Sequence, residues 1–245
     1  MIFEGMDRFS GFTKGLTGSW GKNFILLDEI DSTNSYIMAN DFEPGTVVAA
    51  ACQTAGRGRG GRIWRSSAGC LTFSVVLPQV DKKILNGIQI LAAYATADAL
   101  LDYADIRIKW PNDLLCGGKK IAGILLETVF SGNYPSKLAL GIGLNVLNAP
   151  DVEGAACLGA YSPKLPSIGA LMADIVNSLN DRFEEYSRSE DIQEDWPRYS
   201  AFFRKKISFH HKGREINGTE KGITREGYII VENNGISEAY NDFSV

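Results

Sequence analysis

Histidine is nearly absent from this chain: His210 and His211 are the only two among 245 residues. They are neighbours in an expected strand and so point to opposite faces, which argues against a shared metal site. Cysteine is also sparse. Cys52, Cys70, Cys116 and Cys157 lie far apart without a Cys-x-x-Cys pair, a pattern of buried free thiols in a reducing cytosol rather than of a disulfide framework or zinc site. No apolar run is long enough to span a membrane. Residues 1–23 lack the apolar core and cleavage pattern of a signal peptide. A cytoplasmic protein with no membrane partner is expected. Positive charge is not in excess, with 25 Lys+Arg against 29 Asp+Glu, which argues against a general nucleic-acid binder. There are no repeats and no low-complexity tract. One further absence is local: no Asp or Glu occurs between Glu43 and Asp81.

Within that acid-free stretch, Gln53 to Trp64 reads Gln-Thr-Ala-Gly-Arg-Gly-Arg-Gly-Gly-Arg-Ile-Trp. Arginines alternate with glycines, and none has an acidic neighbour in sequence. Their field is expected to serve an outside anion, because arginine grips phosphate or carboxylate through paired donors and glycine lets the backbone approach closely. A solvated basic loop is the plainer reading. Gly56-x-Gly58-x-x-Gly61 fits a dinucleotide fingerprint only formally, since no helix follows to receive a pyrophosphate. Gly117-Gly118-Lys119-Lys120 lacks the upstream glycine and the following Ser or Thr of a P-loop.

Hydrophobic patterning predicts strands over Phe24–Ile30, Gly45–Cys52, Cys70–Leu77, Ile106–Lys109 and Lys137–Val146, with a hairpin of Leu114–Cys116 and Lys119–Phe130 turned at Gly117-Gly118. Helices are expected from Asp31-Ser32-Thr33-Asn34 to Ala39, over Asp81–Tyr103 and Ser167–Tyr186, and over Ile192–Tyr199 with an interruption at Pro197. After Phe203, three turn signals in forty residues predict a small β-barrel. The expected fold class is α+β: a mixed or antiparallel sheet with helices on one side, plus that barrel. The expected division is an N-terminal extension (1–23), a catalytic domain (24–203) and the barrel (204–245).

Three further clusters carry chemistry. Lys109-Trp110-Pro111-Asn112-Asp113 places oxygen-bearing side chains where magnesium or its waters would sit beside a nucleotide, although an ordinary Asn-Asp turn accounts for it equally. Lys119 and Lys120 start an apolar strand and point to opposite faces, so one of them turns inward, which is costly without an anion to meet. Gly123, Gly141 and Gly143 clear side-chain volume from the sheet, as a narrow slot for a flat ring or alkyl tail requires. Asp31-Ser32-Thr33-Asn34 caps a helix and can also hold a small polar group.

In this order and spacing, Asp31–Asn34, Gln53–Trp64, Lys109–Asp113, Gly118–Glu127 and Gly141–Asn145 resemble the catalytic motifs of the biotin protein ligases, and the likeness runs from about residue 24 to 245. The family commonly has Arg where this chain has Gly60. The chain resembles the simpler class without an N-terminal DNA-binding domain, so no nucleic-acid partner is implied. The resemblance implies a class II synthetase-like catalytic domain that forms biotinyl-5'-AMP from biotin and ATP with Mg2+, then transfers biotin to a lysine of a biotin carboxyl carrier domain. It implies Lys120 and Arg57 as the catalytic charges. Ser32, Thr33, Asn34 and Gln53 would hold the ureido head, with Arg57, Gly58, Arg59, Lys120, Gly123, Gly141 and Gly143 around the rest of biotin. Arg59, Arg62, Trp64, Lys109, Asn112, Asp113 and Asn145 would serve the nucleotide, with Mg2+ accompanying ATP near Asn112 and Asp113 and no tightly bound metal. A lipoate or octanoate ligase or transferase is the nearest alternative; a nucleic-acid-binding module and a regulatory binder of the adenylate are more distant ones. Exposed strand edges leave room for a homodimer.

Overall fold

The computed structural model describes residues 8–189 and 191–241. Eleven strands form two sheets among them. The larger has the order β1 (Phe24–Ile30), β2 (Val47–Gln53), β3 (Cys70–Val76), β7 (Tyr134–Asn145), β6 (Lys119–Ser131), β5 (Asp113–Cys116), β4 (Ile106–Lys109). Only β1 and β2 pair in parallel; all other neighbours in this sheet are antiparallel. The turn between β5 and β6 is made by Gly117 and Gly118 with φ of 54° and 78°, backbone that glycine adopts at no steric cost. Strands β6 and β7 run on past the expected ends and meet in a hairpin at Gly132, φ 61°.

Among the described residues five helices accompany the sheets: α1 (Phe12–Gly15), α2 (Thr33–Ala39), α3 (Leu85–Leu100), α4 (Ile168–Ser189) and α5 (Trp196–Tyr199). Strand alternation divides the large sheet into two chemically different faces. Phe73, Val75, Ile124, Leu126, Leu140, Ile142 and Leu144 point to the main core, where they meet α3 and α4. Sequence periodicity gives α3 one apolar face, yet it is buried around nearly its whole circumference, because α4 covers the side turned from the sheet. On the opposite face, α2 packs Ile37 over Val48, Val76 and Ala139 in a small second cluster. The long helices therefore share one side, and α2 alone among the described helices over the sheet lies on the other, where the chemistry gathers.

Residues 8–23 are joined to the main body. Phe9 and Phe12 are buried in the main core, and the Phe12 ring lies 4.5 Å from that of Phe24. Pro197 stands in the first turn of α5, where a missing N–H costs nothing, so it begins that helix rather than interrupting it. The cysteines correct one expectation: Cys70 and Cys116 are buried, but Cys52 is exposed and Cys157 half-buried, all four as free thiols.

The C-terminal unit is an antiparallel meander of β8 (Lys206–His211), β9 (Arg214–Ile223), β10 (Ile229–Asn233) and β11 (Ile236–Tyr240) in the order β11-β10-β9-β8. Its four strands curl so that the outer strands meet, the Tyr240 ring of β11 lying 5.6 Å from the Phe209 ring of β8, a small barrel-like unit as expected, although β8 and β11 are not hydrogen-bonded to each other among the described residues. Buried polar contacts help fasten it to the larger unit. Trp110 Nε1 donates to the Gly227 carbonyl at 3.0 Å. Glu220, 1% exposed, accepts from Trp196 Nε1 at 2.8 Å and from the Ser200 hydroxyl.

Burial raises the Glu220 carboxyl above its ordinary pKa, although the Ser200 and Trp196 hydrogen bonds oppose the shift. A raised folded-state pKa favours the fold while the group is protonated, and that contribution is lost as pH rises through the folded value. The stability of Glu220→Gln relative to wild type should therefore rise as pH increases above the ordinary Glu range, about pH 4. Thermal midpoints of the two proteins across that rise in pH check it, and a difference independent of pH would contradict it.

Candidate active site

The sheet face opposite α3 and α4 opens into a cleft of about 120 Å³. Its polar end is built by the start of α2. Ser32 caps that helix, its side chain accepting from Ser35 N. Ser32, Thr33 and Asn34 are each 3% exposed. Thr33 N donates to Gln53 Oε1 at 2.8 Å, its hydroxyl lies 2.6 Å from Ser74 Oγ, and Ser74 Oγ donates to Asn34 Oδ1 at 2.6 Å. Buried polar groups this close must satisfy one another or a ligand.

Lys120 reaches the cleft through a β-bulge. Leu114 pairs with Ala122 but Leu115 pairs with Lys120, so Ile121 is the extra residue. Ile121 and Ala122 both enter the core. Without the bulge, strict alternation would put Lys120 on the side opposite Gly123. With it, both line the cleft. Bulges commonly re-aim a side chain beside an active site. The anion that the inward lysine needs is Asp113, whose Oδ1 lies 2.5 Å from Lys120 Nζ. The Gly154 carbonyl accepts from Lys120 N at 2.7 Å and holds this part of the strand.

The arginine-glycine segment folds as a narrow loop rather than a disconnected coil. Arg57 and Ile63 form an antiparallel bridge, and Trp64 N donates to the Gly56 carbonyl at 2.9 Å. At its tip Gly60 has φ 63° and Gly61 φ 75°, with open space around both. The left-handed backbone at position 60 suits glycine; an arginine there would fit in volume but adopt a strained φ at a cost of about 1 kcal/mol. The expectation that the field of these arginines is left for an outside anion is corrected at Arg57. Its Nη2 lies 2.8 Å from Glu127 Oε1, supplied by β6.

Each glycine of the expected slot seats a side chain of the site itself. A Cβ at Gly141 would stand 2.6 Å from Asn34 Oδ1, and one at Gly143 would stand 2.3 Å from Trp64 Cε2. A Cβ at Gly123 would meet Trp64 Cζ3 and Lys120 Nζ, both at 3.3 Å. The indole thus lies over Gly123 and Gly143, with Lys120 Nζ 5.7 Å from its ring centre. Trp64 Nε1 is buried without a hydrogen-bond partner.

The structure brings together Ser32, Thr33, Asn34 and Gln53 at one end, Arg57, Gly58, Arg59, Arg62 and Trp64 above, and Asn112, Lys120, Gly123, Gly141 and Gly143 beneath. Three sequence candidates stand outside this wall. Lys109 is exposed on β4. Asp113 is engaged with Lys120. Asn145 is buried and donates to the Ala156 carbonyl at 3.0 Å. Asn112 does border the cleft, but its Nδ2 is committed to the Ile124 carbonyl at 2.7 Å. Among the described residues, no three His, Cys, Asp or Glu side chains converge as a resident metal site would need. Glu127 received no role from sequence, although its even spacing from Gly123 places it on the same strand face.

Residues 26–145 match the model of the biotin/lipoate A/B protein ligase family. The biotin–[acetyl-CoA-carboxylase] ligase of Mycobacterium tuberculosis is 33% identical over 235 residues, covering 89% of this chain and 86% of the relative. The biotin protein ligase of Leishmania major in complex with biotinyl-5-AMP superposes with a TM-score of 0.63 at 26% identity, over 90% of this chain and 99% of that one. The Aquifex aeolicus biotin protein ligase in complex with biotin and ATP reaches a TM-score of 0.78 at 24% identity, over 89% and 95%, a likeness of fold. On these matches, the chain belongs to the biotin/lipoate A/B protein ligase family, among its biotin protein ligases.

Proposed function

We propose that this cleft activates the carboxylate of biotin with ATP, supplied as its magnesium complex, and passes the biotinyl group to a lysine of a biotin carboxyl carrier domain. In the first step a carboxylate oxygen bonds to the α-phosphorus and the bond to pyrophosphate breaks. In the second, the lysine nitrogen bonds to the acyl carbon, AMP leaves, and the amine gives up a proton. The first step brings two anions together and needs fixed positive charge at their meeting point. The observation that carries the reading is the placement of Lys120: its ammonium lines the same cleft as the Thr33–Gln53 polar end and the arginine loop. Once the nucleotide and acid are bound, Asp113 would steady the lysine between them. The magnesium of the substrate complex would sit on the Asn112 and Asp113 side, and Lys109 and Asn145 would contribute through the strand ends they occupy. The carrier partner is inferred from the names of relatives, which identify acetyl-CoA carboxylase as the object of ligation. Incubation with an isolated carrier domain, biotin and magnesium-ATP should add one biotinyl group by intact mass. An unmodified carrier lysine after prolonged incubation would contradict the transfer step.

The cleft volume of about 120 Å³ is well below the roughly 300 Å³ at which small-molecule sites begin. The indole of Trp64 fills much of the floor. Ligand entry therefore requires residues 54–66 to move, and closure over the adenylate would shield it from water. Limited proteolysis should cut this loop readily in the empty protein and more slowly with biotin and ATP present. Equal cleavage in both states would contradict this motion.

A further inference from the structure

Glu127 stands at the junction of the polar end and the arginine loop. Its Oε1 meets Arg57 Nη2 at 2.8 Å and its Oε2 accepts from Asn34 Nδ2 at 2.9 Å. A carboxylate can only accept, as can the Leu125 carbonyl 3.3 Å from the same amide nitrogen. Together they turn the Asn34 NH2 towards β6, so Asn34 Oδ1 faces Ser74. Ser74 must then give its one proton to Asn34, at 2.6 Å. The 2.6 Å contact between Thr33 Oγ1 and Ser74 Oγ therefore needs the proton of Thr33, in preference to the longer 3.2 Å approach to Gln53 Oε1. Gln53 Oε1 is in turn held by Thr33 N at 2.8 Å, which leaves Gln53 Nε2 as a donor available to a ligand.

We infer that Glu127 is the positioning residue that sets hydrogen-bond direction along Asn34, Ser74 and Thr33, so that this end of the cleft offers Thr33 Oγ1 as an acceptor beside the donors Gln53 Nε2 and the Ser32 hydroxyl. A cyclic urea presents the complement, an N–H beside a carbonyl. The inference rests on the biotin reading above and adds to it a residue that acts through others. Replacing the carboxylate by an amide, as in Glu127→Gln, reverses the chain. The oxygen of the introduced amide stays with Arg57, its NH2 turns to Asn34, and Asn34 rotates to put its own NH2 on Ser74. Ser74 then donates to Thr33, and the acceptor offered to the ring is lost.

The experiment measures biotin-dependent pyrophosphate exchange for wild type, Glu127→Gln and the double variant Asn34→Asp with Glu127→Gln, alongside thermal midpoints. Glu127→Gln should raise the KM for biotin by about 10-fold or more, with the KM for ATP and the thermal midpoint little changed. The double variant restores an acceptor-only group opposite Ser74 at unchanged net charge, and it should recover most of the loss, which a merely structural role would not produce. An unchanged biotin KM in Glu127→Gln, or a double variant no better than the single one, overturns this inference while leaving the functional reading intact. Absence of exchange in folded wild-type protein overturns both.

Discussion

Lys120→Ala is expected to lower biotin-dependent pyrophosphate exchange by about 10³-fold, most of it in kcat. The reason is electrostatic. The lysine ammonium lines the cleft, and a β-bulge in strand β6 brings it there. Removing it leaves two anions to approach without the charge that holds them. Arg57 does not substitute, because its guanidinium is tied to Glu127. Lys120→Arg should recover only part of the loss: the charge returns, but a planar fork replaces a compact ammonium in a space bounded by Gly123 and the Trp64 indole. The cost in stability should be small. The lysine is about one-third exposed beside Asp113, and pairs of this kind contribute about 1 kcal/mol or less. Initial rates at varied biotin and ATP, with thermal midpoints for both variants, separate the two effects. Near-normal exchange in Lys120→Ala would remove the charge from the centre of the account.

Gly143→Ala should be nearly as damaging, though it adds a single methyl group. That carbon would stand 2.3 Å from Trp64 Cε2 and 2.5 Å from Cζ2, far inside van der Waals contact. Backbone φ is not the obstacle at this position; the indole is. The strand cannot yield, because Gly143 pairs with Gly123 on one side and Thr72 on the other in the centre of the sheet. The tryptophan must lift, carrying its end of the arginine loop. Displacement of about 1 Å in a positioning group costs on the order of 10²-fold in rate, and that is the expected fall in kcat/KM for exchange. Trp64→Phe offers a smaller ring and should relieve part of the clash in a double variant. Tryptophan fluorescence should report the displaced indole in Gly143→Ala. Unaltered kinetics would mean that Trp64 does not return to this seat when the loop closes over the ligands and that the glycine serves packing alone.

Much of this was legible in the sequence, for identifiable reasons. Strand β1 spans the expected Phe24–Ile30 because its ends are marked by polar and capping residues. The turns at Lys212-Gly213 and Asn234-Gly235 carry positive φ at both residues, which that chemistry encodes locally. The cleft-lining members of the arginine loop, the Asp31–Asn34 cap and Lys120 are local motifs that converge as expected. What stayed hidden depends on partners distant in sequence. Glu127 meets Arg57 and Asn34 only because β6 lies beside β7 and under α2. The glycines at 141 and 143 line the cleft, and the folded chain also seats Asn34 and Trp64 on them. Phe12 enters the core through a segment whose composition announces nothing.

The most direct test of the central claim is pyrophosphate exchange into ATP by the purified wild-type protein, with magnesium and either biotin or lipoate. Exchange that requires biotin is the predicted result, since it reports formation and reversal of the biotinyl-adenylate at the cleft described. Exchange with lipoate alone, or with neither acid from a demonstrably folded protein, would contradict it.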